Sequence, residues 1–520
     1  MALNQYFHDF QRLFSQISHF PLKLPCKLLL QKENPQNLIN PHFMHLRLLV
    51  LFLFFQSANS FGQTPQQLNT VKRHFEAYNT HDYKKMHSCY SGLMKLVFSK
   101  NRMESINELI YAMKGDVEVR AIKPLSEKSV SVTLVYSRDT TEMEGVSYSF
   151  NKKGKIAGLR MRGESFKVKK SNGTPLPTNF SKRMDSLLAL KQRAAGFHGC
   201  VSVMDQGKLV YNGCVGETTR GNGIKITPST MFELASCSKQ FTAYAILMLL
   251  ERGKLNLDDP ITKWLPDLPY KDVTIRHLLN HIGGLADYAE VMEKKWDKKK
   301  IANNADVLNF FASNKPKPYF KAGSQYAYSN TGYVMLACII EKASAQSYDD
   351  FMKNEIFVPL GMSRTTIYHS RRAGQNIDNY ALGYVYNDSL KKFILPDSLA
   401  EYDYVYWLDG ITGDGCVNSC LIDLVKWENN LRSEKLLTAK TLQLAFTANK
   451  IKNESTHYGF GWEVMDDERY EPVVMHSGSW PGYVNIMVHY TNQSRSITIL
   501  TSSEYFNVAR YAIKIATMME

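Results

Sequence analysis

A serine and a lysine three residues apart stand just before an apolar helical segment, and this arrangement constrains the chain more than any other feature. Ser236-Cys-Ser-Lys239 precedes Phe241–Arg252, a run of helix-forming residues that Gly253 closes. Ser236 is therefore predicted at a helix N-terminus, where free N–H groups and the helix dipole favour negative charge on oxygen. Three residues make about one helical turn, so Lys239 is expected beside the serine hydroxyl, with a pKa lowered by desolvation.

Two further short motifs follow in order along the chain. They are Tyr328-Ser-Asn330 and His476-Ser-Gly478. Each motif alone is weak, but their order after a serine at a helix start is much more specific. A phenol becomes a useful base only when nearby cations stabilise its phenolate, and Lys239 is the expected cation for Tyr328. The three motifs together predict the nucleophile, the base and the substrate strand of a serine hydrolase.

The wider surroundings of these motifs resemble the beta-lactamase-related serine hydrolase family. The similarity covers roughly residues 180–520 and includes Phe232–Ala243, Val273–Leu285, Tyr326–Tyr333 and His476–Gly482. That family contains class C beta-lactamases, D-alanyl-D-alanine carboxypeptidases, D-aminopeptidases and lactamase-fold esterases. A predicted hairpin at residues 200–211 and predicted terminal strands at residues 484–489 and 496–501 suggest an α+β fold, in which one antiparallel sheet is flanked by helices. A helical insertion at about residues 240–420 would complete the cleft.

The resemblance also implies roles for individual residues. Ser236 would be the acylated nucleophile, with Lys239 and Tyr328 as its proton-handling partners and Asn330 as a donor that positions substrate and lysine. The backbone N–H groups of Ser236 and Ser479, next to Gly478, would form the oxyanion hole. The mechanism would be acylation of the serine followed by attack of water on the acyl-enzyme. No metal ion and no cofactor is implied.

His476 is where the sequence departs from beta-lactamases, which typically carry lysine in this motif. A lysine is charged near neutrality and suits a substrate carboxylate, whereas a histidine is only partly protonated and can share in proton transfer. The expected substrate is therefore a small ester or a peptide related to D-amino acids, with cell-wall peptides as one source. The alternatives are a penicillin- or muropeptide-binding sensor that is acylated without turnover, and a class C-like beta-lactamase.

The chain is long enough for two folded parts. Residues 64–170 show a helical start followed by alternating strand patterns, an α+β plan that resembles NTF2-like domains. Residues 171–179 are polar and contain proline, as is typical of a linker. Residues 180–520 form the predicted hydrolase domain.

A targeting signal is predicted inside residues 1–62. Met44–Phe55 combines a short basic region with an apolar core, and small polar residues follow it, so the signal peptide spans about residues 44–62. The apolar run is too short to span a bilayer, which favours secretion or a periplasmic location over a stable membrane anchor. Met44 is then the expected initiator, with an uncleaved extension as the alternative.

Charge and cysteines limit the possible partners. Most of the net charge of +14 lies in residues 63–170, where lysine doublets lack interleaved aromatic residues, so nucleic acid is not an expected partner. The sequence leaves the oligomeric state undetermined. Cys200 and Cys214 flank a predicted hairpin, and two separate buried thiols are favoured over a disulfide.

His281 and a cluster of aromatic residues near the motifs each have a functional and an ordinary interpretation. His281 matches the His-x-Gly pattern, yet it follows a helical segment and is predicted to be a buried histidine in a structural turn. An aromatic cluster precedes Gly413 and could either line the substrate cleft or pack as ordinary loop residues. Its members are Tyr402, Tyr404, Tyr406 and Trp407.

Overall fold

The structure is a computed structural model of the 520-residue chain. It describes residues 64–97, 103–162 and 175–520, apart from short gaps at 105–106, 108–109, 112–113, 138, 370–375, 388–389, 391, 453, 466–469, 493 and 505. The predicted extension and signal peptide, residues 1–62, lie outside the described residues. The chain forms two compact units that divide after Gly163. Within the described residues, no helix combines the length and apolar character needed to cross a membrane.

The first unit places helical segments before a four-stranded antiparallel sheet. The helical segments include α1 (Pro65–Asn79), α2 (Tyr83–Ser88) and α3 (Gly92–Val97), and the strands are β1 (Val117–Ser126), β2 (Ser129–Tyr136), β3 (Asp139–Phe150) and β4 (Ile156–Arg162). The strands pair in sequence order. A single core joins α1 and α2 to one face of the sheet, because alternate residues of β2 are buried. The likeness of this unit to NTF2-like domains stays a prediction.

The second unit is built on a six-stranded antiparallel sheet. Its strands are β5 (Gly199–Asp205), β6 (Lys208–Val215), β14 (Glu463–Met465), β15 (Val473–Trp480), β16 (Tyr483–Tyr490) and β17 (Arg495–Thr501). Their order in the sheet is β14-β15-β16-β17-β5-β6. The first helix of the unit, α4 (Phe180–Ala195), and the last helix, α14 (Val508–Met518), share one apolar core with this sheet. The predicted mixed fold of sheet and flanking helices is confirmed.

A helical insertion lies between β6 and β14. Its helices are α5 (Lys239–Glu251), α6 (Ile275–Leu279), α7 (Tyr288–Glu293), α8 (Asn304–Asn314), α9 (Asn330–Ser344), α10 (Tyr348–Phe351), α11 (Tyr404–Trp407), α12 (Leu421–Asn430) and α13 (Ala439–Ala445). Short strands accompany them: β7 (Phe232–Glu233), β8 (Thr366–Ile367), β9 (Val385–Asn387), β10 (Lys392–Ile394), β11 (Val417–Ser419), β12 (Lys450–Ile451) and β13 (Glu454–Ser455). Helix α5 is buried along most of its length and α9 is buried from Thr331 to Ile340, so they form the centre of the insertion.

The preference for two separate thiols at Cys200 and Cys214 is wrong, because the structure joins them in a disulfide. The tight turn at Gln206 and Gly207 would by itself place Cys200 opposite residue 213. A register shift after Val203 moves the pairing by one residue and sets the two cysteines directly opposite each other. Directly paired residues on neighbouring strands are close enough for a disulfide to form.

Candidate active site

Ser236 lies in a single tight turn of 3-10 helix, Ala235–Ser238, which leads into α5. Ser236 therefore stands at the N-terminal end of α5, as its sequence predicts, with the 3-10 turn as the first part of that end. Such turns are common at helix starts, and they bring side chains three residues apart into line. Ala235 has a positive φ of 50°, a costly conformation for a residue with a side chain. Ser236 is 7% exposed, so the turn holds its hydroxyl at a nearly buried position.

The Lys239 ammonium group is completely buried and touches three oxygen atoms. Its Nζ lies 3.2 Å from Ser236 Oγ, 2.7 Å from Asn330 Oδ1 and 2.8 Å from the carbonyl oxygen of Asp414. Burial lowers the pKa of Lys239 to about 8, although the nearby Asp414 carboxylate acts in the opposite direction. A neutral amine has two N–H donors and one lone pair. It can therefore keep its bonds to Asn330 and Asp414 while its lone pair accepts the serine proton.

Helix α9 fixes both of these acceptors. Asn330 is its first residue, and the Ser329 side chain caps the helix by accepting the N–H of Gly332. The loop that carries Asp414 packs against the same helix at Gly413, whose φ is 96°. A methyl group built on Gly413 would lie 2.4 Å from the carbonyl oxygen of Tyr333, so only glycine allows this approach.

The Tyr328 phenol is buried beside Lys239 and Ser236. The lysine nitrogen lies 4.9 Å from the centre of the tyrosine ring. Burial raises the pKa of Tyr328 well above its usual value, and a hydrogen bond with Ser236 offsets this only in part. Burial at this position therefore opposes the phenolate that Lys239 was expected to stabilise. A neutral phenol in this position can donate or relay a proton.

His281 is buried and organises the tyrosine loop, as its predicted place in a structural turn requires. Its carbonyl oxygen accepts the N–H of Ala327 at 3.0 Å, and its Nδ1 accepts the N–H of Ser329, also at 3.0 Å. A positive φ of 58° at His281 turns the chain so that both bonds form. The histidine therefore holds both neighbours of Tyr328.

Strand β15 passes directly against the serine turn. A methyl group built on Gly478 would lie 2.1 Å from the carbonyl oxygen of Leu234 and 3.1 Å from the nitrogen of Ser236. Glycine is thus required for the close approach of the two backbones. Ser479 is the next residue along β15 and pairs with Val484. The strand places the predicted oxyanion-hole segment beside the serine.

His476 is buried, and both of its ring nitrogens are engaged. Nδ1 lies 2.7 Å from the carbonyl oxygen of Ser477, which can only accept, so this nitrogen carries the proton in the neutral ring. Nε2 lies 2.9 Å from the Tyr458 hydroxyl oxygen, within hydrogen-bonding distance. Tyr458 is fully buried, and its ring also contacts His281, with centroids 4.4 Å apart. These contacts tie the third motif to the tyrosine loop.

The members of the aromatic cluster, which was predicted either to line the cleft or to pack as ordinary loop residues, differ in their burial. Trp407 is buried as a packing residue, whereas Tyr406 is 42% exposed. Tyr404 is half-buried and packs edge-on against Trp480 at the end of β15, with ring centroids 5.5 Å apart. The rings of Tyr402 and Tyr404 are also neighbours, with centroids 6.1 Å apart.

Sequence reasoning missed two contributors to the site. Asp414 binds Lys239 through its main-chain carbonyl oxygen. Every residue has such an oxygen, so the type of side chain gives no signal for this contact. The Asp414 carboxylate accepts a hydrogen bond from Tyr288 at 3.0 Å. Tyr458 contacts His476 and His281, and it was not among the residues predicted for the site. In the part of the chain that the structure describes, no group of three or more His, Cys, Asp or Glu residues could hold a metal ion.

A buried lysine beside a serine, facing a glycine-containing strand of an antiparallel sheet, is the arrangement of a beta-lactamase-related serine hydrolase. The chain belongs to the beta-lactamase family, whose model matches residues 180–517.

The similar proteins include both curated relatives and solved structures. Penicillin-binding protein 4* of Bacillus subtilis (strain 168) is 39% identical over 327 residues, which are 63% of this chain and 72% of that protein. Teichoic acid D-alanine hydrolase of Staphylococcus aureus (strain MRSA252) is 25% identical over 343 residues, 64% of this chain and 80% of that one. The crystal structure of D-amino acid amidase from Ochrobactrum anthropi SV3 matches with a TM-score of 0.55 and 25% identity, over 65% of this chain and 98% of that one.

Proposed function

We propose that this protein is a secreted hydrolase that cleaves an ester or amide bond next to a D-amino acid through an acyl-enzyme on Ser236. The observation that carries the proposal is the environment of Lys239. Its amine is buried, it reaches the serine hydroxyl, and two fixed acceptors hold its remaining hydrogens. Such an amine serves as a general base when burial has lowered its pKa.

Acylation begins when the neutral Lys239 amine takes the proton of the Ser236 hydroxyl. The serine oxygen forms a bond to the substrate carbonyl carbon, and the carbonyl oxygen becomes an oxyanion facing the N–H groups of Ser236 and Ser479. Collapse of this intermediate breaks the bond to the leaving nitrogen or oxygen, which receives the proton. Tyr328, whose phenol stays protonated, relays that proton by donating its own and taking one from Lys239.

Deacylation repeats these steps with water. Lys239, neutral again, accepts a proton from a water molecule whose oxygen attacks the acyl carbonyl carbon. The serine oxygen then leaves and regains its proton, and the acid is released. The oxyanion of this second intermediate accepts hydrogen bonds from the same two N–H groups, so the same arrangement serves both halves of the reaction.

A histidine at position 476 supports an ester or D-amino-acid substrate over a beta-lactam. Its two ring nitrogens bond to Ser477 and Tyr458, and an imidazole, unlike a lysine, does not supply a permanent positive charge for a substrate carboxylate. The D-alanine hydrolase and the D-amino acid amidase among the similar proteins point to the same class of substrate.

Export from the cytoplasm is supported by two features of the chain. Residues 44–62 have the composition of a secretory signal peptide. The disulfide between Cys200 and Cys214 is of a kind that persists in oxidising compartments and is rare in the cytosol. A secreted or periplasmic enzyme is expected to meet small esters or peptides released from the cell wall.

The test incubates the mature protein separately with a p-nitrophenyl ester, a D-alanyl peptide and a chromogenic cephalosporin. Product release and the intact mass of the protein are followed together. We expect turnover of the ester or the D-alanyl peptide, with the cephalosporin processed slowly or not at all. Ser236→Ala should lower any turnover by about a thousandfold or more, because the nucleophile is lost.

The other outcomes distinguish the alternatives. A mass adduct that persists without product release identifies a penicillin- or muropeptide-binding sensor. Rapid cephalosporin turnover identifies a class C-like beta-lactamase. Turnover that survives Ser236→Ala contradicts the proposed site, and silence with all three substrates contradicts the proposed activity.

A further inference from the structure

Strand β15 continues past the oxyanion-hole segment with a residue that faces the serine side of the sheet. Alternate residues of a strand point to the same face, so His476, Gly478 and Trp480 share one face. Gly478 approaches the backbone of Ser236 on this face. Trp480 therefore lies on the serine side, about 7 Å further along the strand than Gly478.

The neighbouring strand β16 identifies the same face independently. Asn485 pairs with Gly478, and its side chain donates a hydrogen bond to the carbonyl oxygen of Glu233 at 2.8 Å. Tyr483 pairs with Trp480, and its hydroxyl donates to the carbonyl oxygen of Ala381 at 2.8 Å. Both contacts reach the insertion that carries the serine turn. The face of Trp480 is therefore the inner wall of the site.

Trp480 is half-buried, and its partner on the insertion is Tyr404. The two rings meet edge-on, with centroids 5.5 Å apart and an angle of 79° between their planes. Helix α11 is anchored, because Val405 and Trp407 are buried and the Trp407 carbonyl oxygen accepts the N–H of Ala302 at 2.7 Å. Tyr404 is thus presented from a fixed element rather than from a loose loop.

We propose that Trp480 and Tyr404 form one wall of a substrate subsite that takes an apolar or aromatic side chain. This inference rests on the proposed function and names its substrate class more closely. Half-buried aromatic rings offer a large apolar surface with a polar edge, and a second ring adds favourable edge or offset contacts. A substrate with a phenyl or branched alkyl group gains this contact, whereas an acetyl or D-alanyl group is too short.

The subsite belongs to the acyl part of the substrate. The carbonyl oxygen of that part is expected at the N–H of Ser479, and Trp480 is the next residue of the same strand. A side chain attached near that carbonyl carbon therefore reaches Trp480 during acylation and remains there in the acyl-enzyme. The leaving group departs before water attacks, so contact with the acyl part acts on both steps.

The experiment compares p-nitrophenyl acetate with p-nitrophenyl phenylacetate, which share a leaving group and differ in the acyl group. We expect the wild-type protein to prefer phenylacetate. Trp480→Ala should lower kcat/KM for phenylacetate by about tenfold or more and leave acetate within about twofold. Tyr404→Ala should act in the same direction, and Trp480→Phe should restore most of the preference.

Tyr406→Ala is the matched control, since Tyr406 belongs to the same helix and is exposed. It should leave both esters unchanged. Equal losses on both esters in Trp480→Ala, with the preference intact in Tyr404→Ala, would overturn the proposal. A second ester series would vary the leaving group and keep the acyl group constant. The proposal would also be overturned if the preference depended on the leaving group in that series.

A binding measurement separates the subsite from the chemistry. Ser236→Ala should bind N-acetyl-D-phenylalanine amide more tightly than N-acetyl-D-alanine amide in isothermal titration, and adding Trp480→Ala should remove the difference. This result stands even if the wild-type protein hydrolyses neither ester, in which case only the proposed function fails. Equal affinity for the two amides contradicts the subsite.

Discussion

The imidazole of His281 stacks on the phenol ring of Tyr328, with centroids 4.3 Å apart and an angle of 38° between the planes. The same histidine accepts hydrogen bonds from the residues before and after the tyrosine. Three contacts from one residue thus fix the position of a phenol that the proposed mechanism uses to relay a proton. His281 is a positioning residue, since it acts on the reaction through Tyr328.

Replacing His281 should therefore reduce the rate more than substrate binding. His281→Ala removes the ring stack and the acceptor for Ser329, and we expect kcat to fall by about 10 to 100-fold with a smaller change in KM. His281→Asn should recover part of kcat, because asparagine tolerates positive φ and its side-chain oxygen can accept the N–H group. Steady-state kinetics and thermal melts of both variants check this. A fall in melting temperature without a change in kcat would contradict the positioning role.

The pH dependence of kcat/KM should report the titration of Lys239. The base must be neutral, so activity is expected to rise with pH through the lowered pKa of about 8. The Asp414 carboxylate raises the pKa of the lysine, and Asp414→Asn removes that charge while the main-chain acceptor remains. The rising limb should then move to lower pH. A limb that stays in place, or moves upward, would show that another group controls the profile.

Adding a side chain at Gly478 should separate the strand from the serine turn. The Gly478→Ala methyl group would overlap the carbonyl oxygen of Leu234, so the backbone of β15 or of the serine turn must shift. We expect kcat to fall by at least about 100-fold, because the oxyanion-hole donor moves with the strand. Ser477→Ala is the control, since Ser477 is exposed on the opposite face of β15. Comparable activity in the two variants would disprove the close approach.

Breaking the bond between Cys200 and Cys214 should lower the free energy of unfolding. The two residues are 14 apart in sequence, and a loop of this size corresponds to about 3 kcal/mol in the chain-entropy model. We expect the double variant Cys200→Ala/Cys214→Ala to unfold at lower denaturant concentration than the oxidised wild-type protein. Wild-type protein in dithiothreitol should unfold like the variant. Identical midpoints with and without reductant would mean that the bond does not form in solution.

Exchanging His476 for lysine should change substrate preference. His476→Lys places a permanent charge at the third motif, where the wild-type imidazole bonds to Ser477 and Tyr458. We expect the ratio of kcat/KM for a substrate with a free carboxylate to that of its methyl ester to rise by about tenfold. Matched pairs of D-alanyl peptides measure this ratio. An unchanged ratio would remove the argument that links this histidine to substrate class.

The sequence predicted those parts of the site that depend on local spacing. Ser236 and Lys239 are three residues apart, and either a helical or a 3-10 turn brings such residues together. The hairpin at β5 and β6 and the final strands also followed from alternation and turn residues. These features need no knowledge of distant contacts.

The remaining features depend on tertiary structure and could not be predicted locally. The pairing of Cys200 with Cys214 follows from a one-residue register shift that no turn signal specifies. The protonation state of Tyr328 depends on how completely other elements bury it. Asp414 contributes a main-chain oxygen, and only the folded path of its loop determines where that oxygen lies.

Helix α9 carries Asn330 and packs against the loop at Gly413, so the positions of both oxygen atoms that hold Lys239 depend on this one helix. A substitution that shifts α9 is therefore expected to weaken both hydrogen bonds of the lysine at once.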